Sequence, residues 1–192
     1  HPDVPAKNFK EFVAYAKKNP GQLNYGSAGN ASAGHLAMEY LKLVTGIFMT
    51  HIPYRGTAPA IQDVLAGQVE LMFAAVGNAQ AQVKAGRLKA LGVTSATRLA
   101  AFPDVPAISE VLPGYESSAW FGLFAPVKVP AERLNRIHTE VVKALNSGEV
   151  RERFASLGAD GVGSTPAAFA AFLKAENDKW EKVVKASGAK ID

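Results

Sequence analysis

The sequence contains no cysteine at any of its 192 positions. That absence removes disulfides, thiolate metal sites and cysteine nucleophiles together. No run of about 18 apolar residues is present, so no segment reads as a membrane-spanning helix. Blocks of like charge are missing as well: 21 basic and 17 acidic residues are dispersed along the chain for a formal charge of +4. A dispersed excess of that size does not track a phosphate backbone, and no nucleic-acid partner is expected. Nucleotide motifs are lacking too, since no glycine-rich loop ends in Gly-Lys-Ser/Thr and no Gly-x-Gly-x-x-Gly precedes an acidic strand end. The four histidines form no i, i+4 pair and no His-Glu motif, so neither a metal nor a cofactor is expected. His1, His51 and His138 are read as structural or surface residues.

What the sequence does have is apolar content, 48 % of residues, enough for a buried core spanning one domain or one and a half. Phe9, Phe12, Val13 and Ala16 follow helical spacing behind a capping box of Asn8 and Glu11. Asn19-Pro20-Gly21 ends that helix, and Leu23 to Gly26 reads as a strand. Ala33, Leu36, Ala37, Tyr40, Leu41 and Val44 then form the most regular amphipathic stripe, closed by Thr45-Gly46. The alternation continues with strands at 48–52, 69–74 and 88–94 and helices at 57–66 and 78–85. Strands joined through helices pair in parallel by right-handed crossovers, which predicts an open sheet with helices on both faces. Beyond a proline-punctuated stretch, 118–125 reads as an aromatic-rich strand, followed by helices marked by Leu134 to Leu145, Val150 to Leu157, and a long one opened by Thr165-Pro166. A boundary is placed near Ser117, giving an α/β lobe over 1–117 and a mainly helical remainder over 118–192.

In such a sheet, ligands sit beyond the carboxyl ends of the strands, where helix N-termini converge. Three loops occupy those positions. The first runs from Gly26 to His35 and is built of small residues. It offers backbone amides at Ala28, Gly29 and Asn30, hydroxyls at Ser27 and Ser32, and the imidazole of His35 in the first turn of the next helix. Helix polarity there suits a carboxylate or phosphate. The same loop reads equally well as a tight turn with Ser32 as N-cap. The second, Pro53 to Thr57, carries Arg55, which can fork a carboxylate or stand exposed on a turn, and Tyr54 as a wall. The third, Ala75 to Asn78, brings Val76 and an Asn78 N-cap to the same edge. A hydrolase-like enzyme on an acid substrate, with Ser32 and His35 as its candidate groups, is the competing reading. It lacks a Gly-x-Ser-x-Gly elbow and any carboxylate spaced to orient the histidine.

Several stretches resemble the Bug or TctC-type solute-binding proteins of tripartite tricarboxylate transporters: Leu23-Asn24-Tyr25-Gly26-Ser27-Ala28-Gly29 with Ser32 and His35-Leu36, Pro53-Tyr54-Arg55-Gly56, Ala90-Leu91-Gly92-Val93-Thr94-Ser95, Pro103-Asp104-Val105-Pro106, Pro113-Gly114-Tyr115-Glu116, and Trp120-Phe121-Gly122-Leu123-Phe124-Ala125-Pro126. They span nearly the whole chain in order. The resemblance implies a two-lobed, Venus-flytrap fold of the type II periplasmic-binding-protein kind. In it, 1–117 would be the second lobe and the segment from 118 the C-terminal part of the first. It implies a periplasmic, non-catalytic receptor, a small organic acid anion as ligand, and the membrane components of a tripartite transporter as partners. A transcriptional-regulator effector domain shares that bilobal fold and is the third reading.

Relatives usually carry an aspartate near the position of Ala74, where it can pair with a ligand ammonium; its replacement here points to a plain organic acid. Relatives also have a segment preceding the counterpart of His1. Since the sequence opens at His1 without an initiator methionine, a fragment or natural truncation is expected, with apolar surface left exposed or covered by another copy.

Overall fold

A computed structural model describes residues 1–190. Two compact units are present: His1–Ser118 together with the chain from Lys179 on, and Ala119–Asp178.

The first unit is α/β. Helix α1 (Phe9–Lys18) starts at Asn8, whose side chain accepts from the Glu11 amide at 2.9 Å. The reciprocal bond of that box goes to the Lys7 amide, which donates to the Glu11 carboxylate at 2.8 Å. Strand β1 (Asn24–Ser27) leads into α2 (Ala33–Thr45), capped by Ser32 and ended by Gly46 in the left-handed conformation. Strand β2 (Thr50–Pro53), α3 (Thr57–Leu65), strand β3 (Leu71–Met72) and α4 (Val76–Lys84) follow. The sheet has the order β2-β1-β3, with both pairings parallel. All three strands therefore deliver their carboxyl ends to one rim, and α2, α3 and α4 begin there.

Side-chain alternation along β1 decides which helices cover which face. Tyr25 is fully buried in a core shared with Phe9, Phe12 and Ala16 of α1 and Met38 and Leu41 of α2. Gly26 looks the other way, where a Cβ would meet Ala60 of α3 and the Tyr54 ring at van der Waals distance. Both faces are thus covered, as a parallel sheet requires.

The predicted strand at 88–94 does not form. Val93 makes a single parallel bridge to Ala107, donating to the Pro106 carbonyl and accepting from the Ile108 amide, each at 2.9 Å. Leu91 packs on the core and Val93 is buried, so the apolar run reflects burial beneath loops rather than a ladder, two conditions that composition alone does not separate. Strand β3 is likewise shorter than the apolar run over 69–74, and the run starting at Phe48 pairs only from Thr50.

In the second unit, α5 (Ala131–Leu145) and α6 (Gly148–Leu157) follow the helical pattern read from the sequence, and α7 (Pro166–Ser187) opens where Thr165-Pro166 predicted it. The aromatic strand expected over 118–125 is absent. High β-propensity cannot form a strand without a neighbour to pair with. Trp120 instead packs edge-on against Phe169 and Phe172, and Phe121 stands 99 % exposed.

Candidate functional site

Register fixes the rim. Ser27 at the end of β1 is opposite Pro53 at the end of β2, and Gly26 is opposite Met72 at the end of β3. The loops leaving these positions touch. The Tyr54 amide donates to the Ser27 carbonyl at 3.0 Å, and a Cβ on Gly29 would lie 3.4 Å from the Tyr54 carbonyl oxygen. At Gly34 a Cβ would lie only 2.9 Å from the carbonyl oxygen of Phe73, so the start of α2 is pressed against the end of the third strand. The sequence therefore brings the 26–35, 53–57 and 73–78 segments to one edge.

Within the first loop, Gly29 turns at φ 127°, a conformation open to glycine, while Ala31 sits at φ 56°. A left-handed alanine carries about 1–2 kcal/mol of strain. Ala31→Gly is expected to stabilise the protein by about 0.5–1 kcal/mol after glycine's own entropic cost, read as a rise in the urea midpoint. An unchanged or lowered midpoint would mean that the loop does not hold this conformation.

The loop is anchored from beneath. Ser27 is fully buried, its hydroxyl 2.6 Å from His51 Nε2, 3.0 Å from the Gly29 carbonyl oxygen and 3.1 Å from the Gly29 amide, which donates to it. The His35 amide donates to the Ser32 cap, and the His35 ring Nδ1 accepts from the Ala31 amide at 3.0 Å. The two imidazoles stack with centroids 3.9 Å apart at 7°. Tyr25 stacks on His51 from the core side at 4.9 Å and donates its hydroxyl to the Glu39 carboxylate. That carboxylate also accepts from the Lys42 ammonium at 2.6 Å and lies 4.0 Å from His35 Nε2. Burial lowers the pKa of both histidines, His51 to about 4, with His35 adding to the depression at His51 and Glu39 opposing it at both. Burial and the Glu39 bond push the Tyr25 phenol well above its ordinary value.

His51 was not among the residues read from the sequence as candidates for this rim. The only signal for it was its place three residues past the start of an apolar run leading into the Tyr54-Arg55 loop, and strand alternation that faces it toward β1.

The other predicted residues are placed as follows. Ala28, Gly29, Asn30 and Ser32 line the first loop, partly exposed. His35 points down into the stack rather than out to solvent. Tyr54 turns its hydroxyl to Asp63 at 2.8 Å; burial, and then this bond to the Asp63 carboxylate, raise its pKa to about 12. Arg55 is exposed, and among the described residues no carboxylate pairs with it. Val76 is the first residue of α4, whose N-cap is Ala75 rather than the predicted Asn78. Asn78 lies inside the first turn, its amide 3.0 Å from the Ala75 carbonyl, because the helix begins two residues earlier than its apolar periodicity suggested.

Among the described residues no group of three histidine or acidic side chains could hold a metal, and no helix is long and apolar enough to cross a membrane.

A parallel α/β lobe with three helix N-termini on one strand-end rim has the architecture of a ligand-binding α/β lobe. Comparison specifies it further. Residues 1–189 match the model of the tripartite tricarboxylate transporter family receptor, TctC, and the chain belongs to that family. It is 36 % identical over 187 residues to a protein of the tcbD-tcbE intergenic region of Pseudomonas sp. strain P51, covering 94 % of this chain and 56 % of that one. Protein BugT of Bordetella pertussis is 31 % identical over 192 residues, with 59 % of its length covered. Among solved structures, Rpa4515 of R. palustris with adipate superimposes with a TM-score of 0.84 at 32 % identity, over 97 % of this chain and 63 % of that one. MatC of Rhodopseudomonas palustris with bound malate gives 0.78 at 33 % identity, over 94 % and 63 %. The chain thus spans somewhat more than half the length of these relatives.

Proposed function

We propose that this chain forms one lobe of an extracytoplasmic receptor that captures a small carboxylate, a dicarboxylate or an aromatic acid, in the periplasm and hands it to the membrane components of a tripartite transporter. The observation that carries this reading is the convergence of three loops and three helix N-termini on one rim. The Ala28 amide, the Ser32 hydroxyl and the guanidinium of Arg55, which no carboxylate pairs among the described residues, offer a carboxylate hydrogen bonds and opposite charge. Relatives with bound adipate and malate support a carboxylate. The 1–117 segment is read as the lobe that bears this rim and the chain from 118 as part of the other lobe.

Titration calorimetry of the intact receptor with a panel of dicarboxylates and aromatic acids tests the reading, and silence across the panel would defeat it. Arg55→Ala is expected to weaken binding about three- to tenfold, more at low salt, because the group is a solvated rim charge. Unchanged affinity would remove Arg55 from the site.

One observation favours a second reading. The 2.6 Å contact of Ser27 with His51 has the spacing of a nucleophile and its base. Against it, the Ser27 side chain is inaccessible and already shared with Gly29. No turnover of ester substrates is expected, and any Ser27-dependent hydrolysis would reverse the choice.

A further inference from the structure

Two rings, one from the first turn of α2 and one from β2, hold two points of the same five-residue stretch. His51 fastens Ser27, and through the Ser27 hydroxyl the amide and carbonyl of Gly29. His35 fastens the amide of Ala31. Between those points the chain turns through Ala28, Gly29 and Asn30; the Gly29 amide is held by Ser27, and the Ala28 amide is the backbone donor assigned to the anion. We propose that the stacked imidazoles of His35 and His51 are positioning residues that set the 27–31 backbone for anion capture, and that they do so as neutral rings.

The neutral state follows from the contacts. His35 Nδ1 accepts a hydrogen bond from the Ala31 amide, and a protonated ring would turn a donor toward that donor. The partner ring is 3.9 Å away, so a charge on either ring disfavours one on the other. The groups facing the pair are Tyr25 and Ser27 from β1 and Glu39 and Lys42 from α2. Lys42 satisfies Glu39, and Tyr25 donates to the same oxygen, so the carboxylate is already neutralised and hydrogen-bonded without a histidinium. The depressed pKa of both rings agrees with that arrangement. The ligand end of this inference rests on the carboxylate-receptor reading above; the loop-setting end does not.

The test uses His51→Ala and His51→Gln in the intact receptor, with adipate as probe and amide hydrogen exchange at Gly29 and Ala31 as a ligand-free readout. Glutamine offers both a donor and an acceptor near the imidazole Nε2 position. His51→Ala is expected to weaken adipate binding by about tenfold, the worth of one hydrogen bond, and to speed exchange at Gly29. His51→Gln is expected to stay within about threefold of wild type with the loop still protected. Exchange at Ala31 is expected to lose protection, relative to its intrinsic rate, as pH falls through the His35 titration. Equal affinity and equal protection in His51→Ala would overturn the proposal. Equal loss of affinity in both variants with intact loop protection would overturn it too. If wild type binds no acid, the carboxylate reading falls, and the exchange data alone decide whether the rings set the loop. Should His51→Ala not fold, Ser27→Ala removes the same contact and is held to the same expectation.

Discussion

Lowering the pH from 6.5 to about 4 is expected to lower the unfolding free energy through His51 by about 1–2 kcal/mol, the part-exposed ring being screened by solvent. The sign follows from proton binding. In the folded protein the ring titrates near 4, because burial and the adjacent His35 disfavour its charge; in the unfolded chain it titrates near 6.5. Between those values the unfolded state holds more protons, so stability rises with pH across the interval. It is complete above 6.5 and gone once the folded ring itself is protonated. His35 shifts in the same direction and steepens the slope. Arg98 holds the Glu110 carboxylate down to about 2 by a paired hydrogen bond, so its contribution is lost only below its ordinary value of 4.5. The window from 6.5 to about 4.5 therefore isolates the histidines. Urea midpoints at steps through that window should fall steeply in wild type and distinctly less in His51→Gln, which keeps a hydrogen-bonding group but cannot titrate. Parallel slopes in the two proteins would show that the ring is not held neutral.

Helix α2 was legible almost residue by residue, because its apolar stripe and both end signals agree: Ser32 caps, and Gly46 takes the left-handed turn. The common edge of the three loops was also legible, since parallel connection through helices forces strand ends to one side. His51 was not. A lone histidine in a strand carries no periodic or motif signal, and its role depends on a partner ring 16 residues away in sequence that only the β1–β2 register and the α2 crossing bring to 3.9 Å. Pairing was the other blind spot. Leu91 and Val93 are apolar because they are covered, and Trp120 because it meets α7 rings; neither fact requires a ladder. Asn78 misled for a simpler reason: capping residues are identified by where the helix starts, and Val76 and Gly77 precede it inside α4.

Replacing Gly34 tests the rim itself, through the sign of the effect. A glycine in the first turn of a helix normally gains up to about 1 kcal/mol on mutation to alanine, because alanine has less backbone freedom to lose. Gly148, in the first turn of α6, has nothing within 4 Å of its virtual Cβ, and Gly148→Ala should show that gain. Gly34 occupies the corresponding turn of α2, but its Cβ would meet the backbone oxygen of Phe73 at 2.9 Å. A carbonyl at a strand end cannot swing aside as a side chain would. Gly34→Ala is therefore expected to destabilise by about 1–3 kcal/mol and Gly34→Val by more, as overpacking does elsewhere. Relief would come by moving the start of α2 away from the end of β3, separating the first loop from the third. Affinity for a carboxylate should then fall beyond what lost stability explains, measured well below the melting temperature. Stabilisation by Gly34→Ala of the size seen at Gly148 would mean that the two loops do not meet, and the single rim on which ligand capture depends would have to be abandoned.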